Sequence, residues 1–123
     1  MDIFRKVEVV KLKHEKKEWF DKEVIHILNG QVIYEEFKDN RLMGDADYAP
    51  FNEAMCVNKT TERIFDAEFI NVRASGHHVS VNDYIQRVIE PLESLFNKEH
   101  QCIVLWFGED MFCQMNLLTI LAY

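Results

Sequence analysis

The chain has 123 residues, of which 48% are hydrophobic and 28% charged, and its formal net charge is −7. This length and composition are typical of one folded domain and argue against a chain that is disordered throughout. The acidic balance makes duplex nucleic acid a poor partner. No segment has the apolar length of a membrane span or a signal peptide, so we expect no membrane insertion and no export.

Cysteine usage indicates a reducing compartment. Cys56, Cys102 and Cys113 are an odd number and form no Cys-x-x-Cys pair. Two of them lie in apolar runs, where a thiol behaves as a small hydrophobic group. We therefore expect a cytoplasmic protein.

The first 22 residues are rich in lysine. Val7, Val9 and Val10 favour a strand within residues 3–12, and helix formers occupy residues 11–21. The lysines are interpreted as a solvated face, and the alternative is an arm that docks a partner or a second copy. We expect an extension over residues 1–22, followed by an α/β domain over residues 23–123.

The segment from Glu23 to Gly30 predicts a strand that ends in a turn. It contains a β-branched apolar run and closes on Asn29-Gly30. Val32, Ile33 and Phe37 then follow at positions that suit a helix. Residues 40–47 are polar and end that helix.

The middle of the chain predicts a short strand and two helices. Pro50 interrupts the apolar stretch 48–57, which can hold at most a short strand. We expect Thr61 to cap a helix that stops at Gly76, and Ser80 to cap the next helix. Pro91 should kink or break that second helix within residues 87–91. Its core-facing stripe is the strongest periodic pattern in the chain: Val81, Tyr84, Ile85, Val88, Ile89, Leu92, Leu95 and Phe96.

The last part of the chain predicts a buried strand, 102–107, that leads directly into a helix. Its inward positions are expected to be Phe112, Met115, Leu118 and Leu121 or Ala122. The helix runs to Tyr123 without a capping residue, so we expect the chain to be a fragment of a longer protein.

Strands separated by helices predict parallel pairing with right-handed crossovers. We expect a three-layer, Rossmann-like α/β sandwich with a short and mainly parallel sheet. An additional strand or helix from the first 22 residues could extend it. The strand 25–28 should lie beside the strand 103–107, because both are continuous apolar runs. Their carboxyl-terminal turns would then open at the same edge.

Two segments also bear on family membership: His26-Ile27-Leu28-Asn29-Gly30, and the run from Leu105 to Leu118 around Trp-Phe-Gly-Glu-Asp-Met-Phe-Cys-Gln. They resemble the two signature blocks of the bacterial domain-of-unknown-function 1835 family, over Val24 to Tyr123. Asn52-Glu53-Ala54 resembles the family's Arg-Glu-aliphatic element, with asparagine where arginine is common, which weakens any role that needs a cation there. The resemblance implies a bacterial α/β domain followed by a helical region, and it implies no activity.

Asp110 is the first candidate for chemistry. It follows the buried strand at the start of a helix, where a carboxylate either caps free backbone N–H groups or serves a ligand. Asp110 could bind a divalent cation or a ribose hydroxyl, and Gln114 lies one helical turn later on the same face. Glu109 is a candidate ligand contact beside it. Capping and ligand binding both remain open.

The turn at Asn29-Gly30 is the second half of the predicted site. Such a helix start presents free backbone N–H groups that suit phosphate. The alternative is a tight turn in which glycine only supplies a positive φ. No GxGxxG or P-loop motif is present. Glu53 is placed at the margin of this site.

Three histidines and one cysteine are further candidates for chemistry. His26 lies within the first strand, and it is either a satisfied core histidine or an acid–base group that reaches the sheet edge. His77 and His78 are interpreted as solvated loop residues, because adjacent histidines rarely share a metal. Cys113 lies at a helix N-terminus, which can lower a thiol pKa, although its apolar neighbours favour a buried thiol.

Two functions are therefore carried forward. The first is a small-molecule-binding α/β domain, which could belong to an enzyme that acts on a phosphorylated or nucleotide-like ligand. The second is a non-catalytic interaction or regulatory module that docks a partner or forms a homodimer.

Overall fold

The computed structural model describes residues 23–123, so the strand and helix expected within residues 1–22 lie outside the described residues. No helix in this range is long and apolar enough to cross a membrane. A π-helical turn, Ile85–Ile89, and a 3-10 turn, Glu90–Leu92, lie between the short helices Val81–Tyr84 and Glu93–Asn97. The elements in chain order are β1 (Val24–Leu28), α1 (Gln31–Asp39), β2 (Asp47–Pro50), α2 (Ala67–Gly76), α3 (Val81–Tyr84), α4 (Glu93–Asn97), β3 (Cys102–Trp106) and α5 (Met111–Ala122).

The three strands form one parallel sheet in the order β2-β1-β3. His26 at the centre of β1 is aligned with Tyr48 of β2 and with Val104 of β3. The predicted pairing of β1 with β3 is therefore confirmed, as is the short strand before residue 57. Because the strands are parallel, the turns that follow β1, β2 and β3 meet at one edge of the sheet.

Two hydrophobic clusters cover the two faces of the sheet. Ile25 and Ile27 of β1 belong to a cluster that includes Phe69 of α2. Leu28 belongs to a second cluster with Phe37 of α1. Side chains alternate between the faces of a strand, so helices pack on both sides of the sheet. The predicted three-layer α/β sandwich is confirmed.

The expected break at Pro91 is also confirmed, because the helical path changes there from a π-helical turn to a 3-10 turn. Tyr84, Val88 and Leu92 from the predicted stripe are buried on either side of this change. Val81 at its start is an exception, with 40% of its surface exposed. The stripe is therefore core-facing from Tyr84 onward and not throughout.

The start of α2 differs from the prediction. Asp66, not Thr61, caps the helix, and its carboxylate accepts a hydrogen bond of 2.9 Å from the Phe69 N–H. Phe65 has a φ of 68°, which no helix can contain, so the preceding residues cannot belong to α2. Thr61 instead donates its hydroxyl hydrogen to the Arg63 carbonyl.

The orientation of α5 was predicted wrongly. Phe112 and Leu118, both expected to face inward, are each 59% exposed. Met115, Leu121 and Ala122 are exposed as well, whereas Asn116, Thr119 and Ile120 are buried. This helix is apolar on most sides, so its periodicity does not decide which face is covered. The hydrogen bonds of Asn116 decide it instead.

Candidate functional site

A cleft of about 560 Å³ opens at the carboxyl edge of the sheet. Asn29 and Gly30 contribute to it from the turn after β1, and Asn52 and Glu53 from the segment after β2. The remaining polar lining comes from the end of α2, from α3, from the π-helical turn and from α5: His77, Tyr84, Arg87 and Asn116. Ligand sites in open α/β sheets occupy this position.

Gly30 forms the corner where β1 gives way to α1. Its φ of 110° and ψ of 167° belong to a backbone region that is almost exclusive to glycine. No heavy atom of residues 23–123 lies within 4 Å of where a Cβ would stand, so these residues leave the space above this corner open. No side chain in the same range caps the helix that follows. The first N–H groups of α1, which follow Gly30, are thus without a side-chain acceptor among residues 23–123.

Glu53 is the most heavily hydrogen-bonded side chain in the cleft. Arg73 donates to it twice, from Nε to Oε2 and from Nη2 to Oε1, at 2.9 Å each. The Tyr84 hydroxyl donates to Oε2 at 2.6 Å, and the Ala54 N–H donates to Oε1 at 2.7 Å. His77 Nε2 lies 2.6 Å from Oε1. The Glu53 side chain is 1% exposed and that of Arg73 is 0% exposed.

Arg73 also ties the segment after β2 to α2. Its guanidinium donates to the Ala54 carbonyl at 2.9 Å, to that of Val57 at 2.7 Å and to that of Lys59 at 2.9 Å. Together with its bonds to Glu53, these use all five donors that a guanidinium carries. A buried arginine is tolerated only when its charge is paired and its donors are satisfied, and both conditions hold here.

This environment sets the titration of two groups. Burial would raise the pKa of Glu53, but the hydrogen bonds from Arg73, Tyr84 and Ala54 outweigh burial and lower that pKa to about 2. Burial and the Glu53 carboxylate together raise the pKa of Tyr84 far above its ordinary value. Glu53 is therefore a carboxylate and Tyr84 a neutral phenol near neutral pH.

Asn116 of α5 joins the turn after β1 to the segment after β2. Its Nδ2 donates to Asn29 Oδ1 at 2.8 Å and to the Glu53 carbonyl at 2.6 Å. Its Oδ1 accepts from the Met55 N–H at 2.9 Å. The Asn29 amide donates in turn to Cys113 Sγ at 2.8 Å. Helix α5, which follows the turn after β3, is thus tied to the turn after β1 and to the segment after β2.

The structure separates the residues predicted for the site into two groups. Asn29, Gly30 and Glu53 line the cleft, whereas Glu109, Asp110 and Gln114 do not. Glu109 is exposed. Gln114 Nε2 donates to the Gly108 carbonyl at 2.7 Å, closing the turn in front of its own helix.

Asp110 caps α5. Its Oδ1 accepts from the Cys113 N–H at 2.9 Å, and this bond holds the pKa of the exposed Asp110 carboxyl below its ordinary value. The Cys113 thiol donates to Asp110 Oδ2 at 3.2 Å. Partial burial and this bond raise the pKa of Cys113, so the thiol is not activated.

His26 is buried within β1 and does not line the cleft. Its Nδ1 accepts a hydrogen bond of 3.0 Å from the Trp106 indole, and its ring stacks on Tyr48 with centroids 5.4 Å apart. These contacts are those of a core histidine, one of the two alternatives for this residue. Within residues 23–123, no group of three or more His, Cys, Asp or Glu side chains could hold a metal ion.

Sequence reasoning missed several residues of the site. His77 was interpreted as a solvated loop residue, but its side chain is 27% exposed and contacts Glu53. Arg73 carried a usable signal, because it lies four residues after buried Phe69 on the apolar side of α2, where a charged residue needs a partner. The sequence signal for Asn116 was weaker: it is an amide side chain within an otherwise apolar helix.

A second groove, of about 670 Å³, lies at the amino ends of β1 and β2. Exposed charged residues line it, and Lys98 bridges Glu23 and Asp47 there at 3.2 and 3.0 Å. These exposed pairs contribute little to stability. The cleft at the carboxyl edge is the stronger candidate because its polar groups are buried and converge.

Searches of protein-family models, of curated proteins and of solved structures found no match to this chain. The resemblance of two segments to the domain-of-unknown-function 1835 family therefore stays a prediction. Function has to be argued from the cleft itself.

Proposed function

We propose that this domain binds a small molecule with an anionic group, such as a phosphate ester, in the cleft at the carboxyl edge of the sheet. The observation that carries this proposal is the start of α1, which follows the cleft residue Gly30 and has no side-chain cap within the described part of the chain. Helix N-termini of this kind bind phosphate through backbone N–H groups and the helix dipole.

The charges around the cleft support an anionic ligand. Arg87 lines the cleft and is exposed, and its guanidinium has no ion-pair partner among residues 23–123. The carboxylate of Glu53 is neutralised by Arg73 at 2.9 Å and is shielded from solvent. An incoming anion therefore meets the Arg87 guanidinium, which is unpaired within residues 23–123, and a partial positive charge at α1.

The size of the cleft supports the same class of ligand. Small-molecule sites in proteins enclose about 300–1,000 Å³ and combine apolar walls with a few convergent polar groups. The cleft of about 560 Å³ has Phe51, Val79 and Val88 as apolar walls beside the polar residues described above. A nucleotide or a sugar phosphate is of suitable size. The proposal includes an enzyme that acts on such a molecule.

Inorganic phosphate, titrated by calorimetry and in thermal unfolding, tests this proposal. We expect phosphate to raise the melting temperature, and Arg87→Gln to weaken phosphate binding by about tenfold, which corresponds to about 1.4 kcal/mol. Arg63→Gln is the matched control, because Arg63 is also exposed but lies outside the cleft. An equal affinity of the two variants, or no binding by the unaltered protein, would contradict the proposal.

A second candidate function, a non-catalytic module that associates with a second copy of itself, is supported by α5. Met111, Phe112, Leu118 and Leu121 are between 59% and 73% exposed along this helix. An apolar surface of this kind is typical of an interaction site. Sedimentation over a range of protein concentrations tests it: a mass that increases with concentration, and that Leu118→Lys returns to the monomer value, is the expected result. A constant monomer mass would count against it.

A further inference from the structure

His77 is held at the wall of the cleft by the end of α2. It is the C-cap residue of that helix, and its backbone N–H donates to the Arg73 carbonyl at 3.1 Å. Its side chain is 27% exposed and lines the cleft. A ligand in the cleft can therefore reach the imidazole ring.

The hydrogen bonds around Nε2 determine where the ring proton lies. Glu53 is ionised and can only accept, so a contact of 2.6 Å between its Oε1 and His77 Nε2 requires a hydrogen on Nε2. Arg73 Nη2 lies 3.2 Å from the same nitrogen, but its two hydrogens are directed to Glu53 Oε1 and to the Ala54 carbonyl. Neutral His77 therefore carries its hydrogen on Nε2, and Nδ1 has a free lone pair.

Tyr84 fixes the ring from its other side. The two rings are nearly parallel, with an interplanar angle of 14° and centroids 6.4 Å apart. The Tyr84 hydroxyl is occupied by Glu53 Oε2. Among residues 23–123, no group makes a hydrogen bond to His77 Nδ1. Nδ1 is thus an oriented acceptor without a donor among the described residues.

We propose that His77 Nδ1 accepts a hydrogen bond from a hydroxyl group of the ligand, so that the cleft selects phosphate esters of polyols or sugars over alkyl phosphates. This inference rests on the proposed function, since it assigns the anionic part of the ligand to α1 and Arg87. It adds a second recognition point, His77, oriented by Glu53 in the way that a carboxylate orients the histidine of many sites.

The ring proton can be located without any ligand. Long-range proton–nitrogen NMR spectra of the full chain distinguish the two neutral tautomers from each other and from the doubly protonated ring. We expect His77 to carry its hydrogen on Nε2. Exposed His78 is an internal reference for a ring without this constraint. A hydrogen on Nδ1 of His77 would overturn the inference.

A matched pair of ligands tests the selectivity. Glycerol 3-phosphate and n-propyl phosphate carry the same anionic group, and only the first has hydroxyls. We expect the unaltered protein to prefer glycerol 3-phosphate by about threefold to tenfold, the range of one hydrogen bond. His77→Lys retains a donor to Glu53 and carries no acceptor, so it should abolish this preference. His78→Lys, which adds the same charge at the neighbouring position, should leave the preference unchanged.

The outcomes separate the two proposals. Equal binding of both esters by the unaltered protein would overturn the role of His77 and leave the anion site intact. If neither ester nor inorganic phosphate binds, the proposed function fails together with the selectivity, while the NMR measurement still reports the tautomer that Glu53 imposes.

Discussion

Arg73 and Glu53 join through two parallel hydrogen bonds of 2.9 Å, although they lie 20 residues apart in the chain and neither side chain is more than 1% exposed. This ion pair fastens the segment after β2 to α2, and so it shapes the cleft. A buried pair of this kind is expensive to break, because removal of one partner leaves an uncompensated charge away from water.

We expect Arg73→Met to lower the free energy of unfolding by about 3–5 kcal/mol, as measured in urea. Arg41→Met provides the control, because Arg41 and Asp45 form an exposed pair with side chains 73% and 93% exposed, and its loss should cost at most about 1 kcal/mol. Adding Glu53→Leu to Arg73→Met should recover part of the loss. If Arg73→Met and Arg41→Met lower the free energy of unfolding by similar amounts, burial does not increase the contribution of the ion pair.

The depressed pKa of Glu53 predicts how stability responds to acid. Its folded pKa is about 2 and its ordinary value is 4.5, so the unfolded chain takes up this proton first as the pH falls. The stabilisation from Glu53 is complete above pH 4.5 and is lost as the pH falls towards 2. Its full size is on the order of 3 kcal/mol, at 1.36 kcal/mol for each pKa unit.

Urea titrations at a series of pH values measure this effect. The stability of Glu53→Gln should fall less steeply below pH 4.5 than that of the unaltered protein. Asp45→Asn, at an exposed carboxylate, should follow the unaltered protein. Parallel curves for Glu53→Gln and the unaltered protein would show that this carboxyl titrates normally.

Gly30→Ala should destabilise the fold by about 1–3 kcal/mol through backbone strain alone. The φ of 110° and ψ of 167° at this corner are nearly inaccessible to alanine, whereas an added Cβ meets no described atom within 4 Å. Chemical denaturation measures the loss. If Gly30→Ala leaves the free energy of unfolding unchanged, the corner between β1 and α1 can relax to a backbone conformation that alanine adopts without strain.

Asp110→Ala separates the two roles of that residue. The cap that Asp110 provides to α5 predicts a loss of about 1 kcal/mol in the absence of ligand. Asp110→Asn should retain most of this stability, because asparagine caps helices well. If phosphate then stabilises Asp110→Ala as much as the unaltered protein, Asp110 serves only its helix. A loss of that response would support a ligand contact.

The orientation of α5 can be checked by two substitutions two residues apart. Leu118 is 59% exposed, so Leu118→Lys should change stability by no more than about 0.5 kcal/mol. Ile120 is 7% exposed and belongs to the core, so Ile120→Ala should cost about 2–5 kcal/mol. If α5 instead buried Leu118, as its sequence pattern predicts, thermal or urea unfolding would show a larger loss of stability for Leu118→Lys than for Ile120→Ala.

The sheet could be predicted because its signal is local. The apolar runs of β1 and β3, each ending at a turn, were sufficient to place two parallel strands side by side and their turns at one edge. Asn29 and Gly30 were found for the same reason. Such patterns depend on neighbours along the chain and on the alternation of side chains.

The remainder of the site depends on partners that are distant in sequence. Glu53 was expected only at the margin of the site, because His77 and Tyr84 reach it only after α2 and α3 have packed against the segment that follows β2. No spacing in the chain encodes that contact. In α5, apolar residues on several sides made the helix appear to bury Phe112 and Leu118. The amide of Asn116 outweighed them, because its buried hydrogen bonds cannot be replaced by water.

The three hydrogen bonds of Asn116 have a consequence for local opening. They span the turn after β1, the carbonyl of Glu53 and the N–H of Met55. Those segments cannot separate from one another while α5 stays in place. Amide hydrogen exchange at Met55 should therefore follow the exchange of the middle of α5, as one cooperative unit.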